Sequence, residues 1–195
     1  MSASVKANRF NVSRIVYSVI SKDDETAYNY GPIKKFGDPM TVQLTPSYAS
    51  GKLYGGGVVT EDHTKITGIA LKVDVNKVPI EVRAEIGGHD YTDGVLTTNK
   101  KDQPKEIAIG YEVEQTGDNV EVVWLLKGKA KPFGNSVQQT TDNINYSTDS
   151  IDIGFMPTVF TGDIKKDGDT ANEAFTAVVA AAFLDTIPGG TLVGV

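Results

Sequence analysis

The chain has 195 residues, no cysteine and a formal charge of −6, with 39% hydrophobic residues. Without cysteine there are no disulfides, Cys-ligated metal sites or thiol nucleophiles, and the acidic balance argues against a protein that grips nucleic acid through clustered Lys and Arg. Length suits a single domain over 1–195. The 20 glycines, together with frequent Thr, Val and Ile, favour strands and turns over long helices, so a mainly β fold is expected.

In chain order, residues 1–13 have no sustained period and read as an N-terminal arm. A first strand follows over 14–20. The segment KDDETAYNYG, with adjacent Asp23, Asp24 and Glu25 and then Gly31-Pro32, reads as a loop with a solvated acidic tip. Over 41–45 Val42 and Leu44 alternate with Thr41, Gln43 and Thr45 before Pro46, which is expected to end that strand. Residues 47–65 are apolar and flexible at once, with Leu53, Tyr54, three glycines at 55–57, and Val58-Val59, a combination that suits a long hairpin or loop docking on something else. A phosphate-cradling reading fails because the spacing matches neither GxxxxGK[ST] nor GxGxxG.

Residues 66–89 are the organising stretch. Ile69, Leu71, Val73 and Val75 alternate with Ala70, Lys72, Asp74 and Asn76, the pattern of a strand covered on one face. A short helix over 77–86 is expected next, with Asn76 as N-cap, Pro79 in the first turn, Val78, Val82 and Ile86 on one side, and Gly87-Gly88 at its end. Asp93-Gly94 signals a hairpin. Ile107, Ile109, Tyr111 and Val113 alternate with polar and small residues. After the turn TGDN, a second strand is apolar on both sides from Val122 to Leu126, which places it centrally with Trp124 in the core.

Residues 128–136 read as a basic connection and 137–149 as an exposed edge strand or ribbon. IDIGFMPTVFTG suggests a strand pair broken at Pro157, and DIKKDGD a turn with capping acids. The last helix is expected after a capping box at Thr170 and Glu173, with Phe175, Val178, Val179, Ala182 and Phe183 forming one apolar face for packing or a subunit interface. Residues 188–195 form a small apolar tail.

No pattern supports catalysis, a metal or a cofactor. His63 and His89 lack an HxxxH or HExxH partner and read as surface loop residues, and the acids at 163, 167 and 169 do not match a calcium loop. No run reaches the length of a membrane span and the first residues lack a secretory signal's apolar core, so synthesis in the cytoplasm is expected. A non-enzymatic assembling subunit is favoured over a β-sandwich module that binds carbohydrate or a cell surface, and over an unrecognised hydrolase.

The segment from Ser50 to His89, with VEVVWLLKGK further on and AAAFLD near the end, resembles the major tail protein family of long-tailed bacteriophages that infect Gram-positive hosts. That resemblance implies two packed antiparallel β-sheets, sandwich or barrel-like, with a flanking short helix and a C-terminal helix. It also implies a homo-oligomer of hexameric rings stacked into a hollow tube in the virion tail, assembled in the host cytoplasm with tail terminator, tape measure and baseplate proteins. DNA would pass through without specific binding and no membrane would be involved. In that frame 47–65 is the long inter-ring loop, with Leu53, Tyr54, Val58 and Val59 as contacts. Asp74, Glu112, Glu114 and Glu121 are candidate lumen carboxylates that would repel DNA phosphates. The inner tube of a contractile, phage-tail-like particle is an alternative.

Overall fold

A computed structural model describes residues 7–135 and 147–193. The fold is mainly β. Its elements are β1 (Arg9–Asp23), β2 (Tyr28–Tyr30), β3 (Lys34–Lys35), β4 (Pro39–Gly55), β5 (Val58–Val75), α1 (Ile80–Gly87), β6 (Asp90–Thr92), β7 (Val95–Thr97), β8 (Ile107–Gln115), β9 (Asn119–Ala130), β10 (Gly134–Asn135), β11 (Asp149–Phe155), β12 (Lys165–Asp169), α2 (Ala177–Phe183) and β13 (Thr191–Leu192).

The strands form one large mixed sheet and a small second sheet rather than two sheets of similar size. The large sheet runs β13-β2-β1-β8-β9-β11-β5-β4, with β3, β10 and β12 paired at its sides, while β6 and β7 form the separate ribbon. Among the described residues, the pairing of β13 with β2 is parallel and the others are antiparallel. β1 and β4 touch although they lie far apart in the strand order, so the sheet curls on itself.

Each face of this sheet buries its own core. The concave one gathers Ile15 and Tyr17 from β1, Leu71, Val73 and Val75 from β5, and Ile107, Ile109, Leu125 and Ile153, and α1 closes it through Val82 and Ile86. On the opposite face Trp124, Val122, Val16 and Ala108 are covered by Ala180, Leu184 and Ile187. β9 is therefore sandwiched, and all five residues from Val122 to Leu126 are buried, as their double-sided apolar pattern requires. Trp124 is 0% exposed and its indole N–H donates to the Phe183 carbonyl at 2.7 Å, tying α2 to the sheet.

The turns obey local chemistry. Asp93 and Gly94 both take positive φ, the pairing a two-residue hairpin turn requires, and the three-residue loop 116–118 between β8 and β9 takes positive φ at Gly117 and Asp118. Gly88 ends α1 in the left-handed region at φ 67°.

Several boundaries differ from expectation. Residues 9–13 are no arm, because β1 pairs with β8 from Arg9↔Gln115 onward. Residues 28–30 of the expected loop are strand β2. Pro46 does not end β4; it pairs with Ile69 on an edge strand, where a missing N–H costs nothing if it points to solvent. α1 starts at Ile80 with Pro79 at its cap position, and the Val78 amide that an Asn76 cap would receive is bonded to the Asp149 carboxylate instead. β9 runs on through Ala130 into the expected connection.

Nearer the end of the chain, residues 156–162 are not strand, and β11 instead finds β5 and β9 as neighbours. The expected turn at 165–169 is strand β12, held on β9 by register from Lys165↔Leu125 to Asp169↔Glu121. α2 is shorter than expected and is capped by Thr176, whose hydroxyl accepts from the Val179 amide, rather than by Thr170. Within the expected tail, Thr191 and Leu192 form β13 because β2 offers them a ladder. Most of the expected ribbon over 137–149 lies outside the described residues. Its end, from residue 147, is seen, with Asp149 opening β11.

Candidate interaction surfaces

The segment 47–65 is a two-stranded arm. β4 and β5 stay paired from Ser47↔Gly68 out to Gly55↔Val58 and turn through Gly56 and Gly57, both at positive φ. At about 3.3 Å per residue the nine residues of Ser47 to Gly55 reach roughly 30 Å. Along this length every residue of β4 is exposed, and on β5 exposure is continuous from Val58 to Thr67.

Cross-strand partners share a face. One face of the arm carries Tyr48 with Ile66, Ser50 with Thr64, Lys52 with Asp62, and Tyr54 with Val59; the other carries Gly51 with His63, Leu53 with Glu61, and Gly55 with Val58. Apolar groups therefore stand on both faces. Tyr48, Tyr54 and Val58 are 69%, 66% and 67% exposed, and Leu53, Val59 and Ile66 are also open. This apolar area is divided between the two faces, Tyr48, Tyr54, Val59 and Ile66 on one and Leu53 with Val58 on the other. Leu53, Tyr54, Val58 and Val59 were visible in the sequence. Tyr48 and Ile66 were not, and the signal that finds them is their direct cross-strand pairing. His63 sits in this strand rather than in a loop.

The apolar face expected on the last helix divides in two. Phe175 and Phe183 meet edge to face at 5.4 Å and pack on the second core, while Val178 at 81% and Val179 at 48% exposure face away from it, as does Ala182. Ala180, Leu184 and Ile187 are the residues that seat this region.

The four carboxylates do not share one surface. Glu112 and Glu114 pair with Val122 and Val120, whereas Glu121 pairs with Val113 and so points to the opposite, concave side. Asp74 alternates with the buried Val73 and Val75 and stands, like Glu112 and Glu114, on the convex face. Glu112 accepts from the Ser13 hydroxyl at 2.8 Å and Glu114 from the Asn11 amide at 2.9 Å. Glu121 is 8% exposed and held by both arms of the Arg9 guanidinium, at 2.5 and 2.7 Å, with the Gln115 amide nearby. Its charge is neutralised within the chain.

A cleft of about 400 Å³ lies beside α1, lined by Arg83, His89, Leu96, Asp102, Pro104 and Phe133. His89 is not a free surface residue: its Nδ1 lies 2.6 Å from Asp102 Oδ2, which also accepts the Asn99 amide. That amide, and then His89, hold the Asp102 carboxyl below the usual carboxylate range. The other ring nitrogen abuts Gly87, where an added Cβ would collide with it, so the imidazole is held on two sides where it lines the cleft. Arg83 is likewise engaged, pairing with Asp149 at 2.5 Å.

Among the described residues no group of three or more His, Asp or Glu gathers to hold a metal ion, and no helix is long and apolar enough to cross a membrane. No protein-family model matches the chain, and no curated protein matches it.

Proposed function

We propose that this chain is a structural subunit of a tail tube, polymerising as stacked rings around a channel through which DNA leaves a virion. The observation that carries the reading is the exposed arm. A two-stranded ribbon is at best marginally stable in water, and one bearing apolar side chains on both faces gains its cover from a neighbour. An arm of roughly 30 Å is long enough to reach across a ring of similar domains to the next. The resemblance of residues 50–89 to tail proteins supplies the architecture, and the outward Val178 and Val179 supply a second surface for subunit contact. On this reading the carboxylates that face the channel and repel phosphates are drawn from Asp74, Glu112 and Glu114, which stand on the outer side of the curled sheet, while Glu121 serves the fold.

Electron microscopy of the purified protein tests the proposal. Rings or hollow rods are expected. Replacing 50–64 by a two-residue turn that joins the Ala49↔Lys65 pair should leave a folded monomer that forms no rods. Rods of normal length from that variant would refute the role given to the arm, and a monomer that binds glycans under all conditions would replace the reading with a surface-binding module.

A further inference from the structure

We propose that two copies of this chain also join edge to edge through β4, antiparallel about Gly51, into a four-stranded ribbon. This contact goes beyond stacking. A polar stack relates copies by rotation and translation and never sets one residue against its own counterpart, whereas this contact has two-fold symmetry.

β4 is the last strand of the large sheet, and from Ser47 to Gly55 its outer edge is uncovered. Such edges are normally blunted by bulges, prolines or repeated lysines. Here both bulges of the arm place the extra residue on β5, at Thr67 and Thr60, and β4 itself runs uninterrupted with Lys52 as its one charge. The row of free amides and carbonyls is therefore straight enough to template another strand.

The sequence of this edge is self-complementary. Around Gly51 it reads Tyr48-Ala49-Ser50-Gly51-Lys52-Leu53-Tyr54. With Gly51 on the two-fold axis, Tyr48 faces Tyr54 of the second copy, Ala49 faces Leu53, and Ser50 faces Lys52. Each side of the axis repeats the other, giving two aromatic pairs, two apolar pairs and two polar pairs, which is what an isologous contact requires. Charge permits it. Each Lys52 lies 3.9 Å from Asp62 of its own hairpin and directly opposes a neutral serine, and the two Lys52 are diagonal neighbours, each with its own Asp62 as counter-charge. The contact combines a backbone ladder from Tyr48 to Tyr54 with these side-chain pairs, a small interface that suits a reversible dimer.

Cysteine cross-linking tests both the contact and its register, because the native chain has no cysteine. Directly opposed residues in an antiparallel pair have Cα atoms about 4.5–5.5 Å apart, within disulfide range. A Cβ at Gly51 meets nothing within 4 Å, so Gly51→Cys should fold and, under a mild thiol oxidant, convert to a covalent dimer. Ala49→Cys and Leu53→Cys should each resist cross-linking alone, their own counterparts being roughly 13 Å away, and should cross-link when mixed. Thr64→Cys, on β5, whose own outer edge is broken by the two bulges, is the control. Sedimentation should show Ser50→Glu tightening the native dimer and Ser50→Lys loosening it, each about fivefold, through the two Ser50 to Lys52 contacts. Cross-linking of Gly51→Cys no faster than that of Thr64→Cys, or no preference for the mixed pair, overturns the proposal. Because these readouts do not involve rods, they stand or fall separately from the tube reading.

Discussion

Asp23 offers the sharpest test of how the end of β1 is held to β9 and to the turn at Val159 and Phe160. It ends β1, its side chain is 0% exposed, and it accepts the Lys127 ammonium at 2.6 Å together with the amides of Val159 at 2.9 Å and Phe160 at 3.1 Å. Replacing it with alanine strands Lys127, itself only 8% exposed, with Glu106 at 3.6 Å as the remaining counter-charge. Breaking a buried pair by removing one partner costs about 3–5 kcal/mol, and the surviving, partly exposed Glu106 sets the expectation at the low end, about 3 kcal/mol. With a urea dependence of about 2 kcal/mol per molar, the unfolding midpoint of Asp23→Ala should fall by about 1.5 M. Trp124, the one tryptophan of the chain and fully buried, reports the transition by fluorescence. The double variant Asp23→Leu with Lys127→Met should recover most of the loss, since no charge is left stranded and the Val159 and Phe160 amides sit in a turn whose residues are exposed. A midpoint within about 0.3 M of wild type for Asp23→Ala, or a double variant weaker than the single, would refute this account.

The same carboxylate predicts an acid response. Burial opposes its charge, but Lys127 and the two amides outweigh burial and hold its folded pKa below the usual value, so its stabilisation is complete above about pH 4 and is lost as pH falls through the folded value. Urea midpoints at pH 7 and pH 3 should therefore differ more for the wild type than for Asp23→Ala. Gly88→Ala combines a left-handed backbone with a Cβ driven into the Gln103 carbonyl and should cost at least about 2 kcal/mol in a thermal melt, whereas Gly57→Ala, equally left-handed but with open space around it, should leave the global transition in place. Trp124→Phe removes the bond to the Phe183 carbonyl and should speed amide exchange in α2 before it affects α1, which packs on the other face. Val178→Asp, at a site 81% exposed, should change unfolding by no more than about 0.5 kcal/mol and should lower rod yield where α2 meets a neighbour.

What the sequence revealed follows from where burial separates residue types. The β8 to β9 hairpin was legible because its alternation, its turn residues and the double-sided run around Trp124 agree with one another. On the arm they do not agree: neither face is buried, so Tyr48, Leu53, Tyr54 and Val58 do not sort from the polar residues, and the strand there shows only through its ladder. β12 was hidden for the opposite reason, since KKDGD contains no apolar side chain and owes its conformation to the ladder with β9. Cap residues misled at both helices. Asn76 and Thr170 have the right chemistry, but the Val78 amide that Asn76 would cap is bonded to Asp149 and the Thr170 hydroxyl receives the Val120 amide, both partners distant in sequence. The pairing of Glu121 with Arg9 and the hydrogen bond between His89 and Asp102 likewise join residues that no local pattern connects.

The parallel pairing of β13 with β2 sets an order of events during synthesis. Residues near 30 are bonded to residues near 190, through Thr191↔Asn29 and the Val193 amide on the Tyr30 carbonyl. At about 5–20 residues per second the ribosome takes roughly 8–30 s to supply that missing neighbour. Until then the early strands present a vacant flank to whatever else is in the cell, so a nascent polypeptide of this kind has reason to be shielded by a chaperone while it waits.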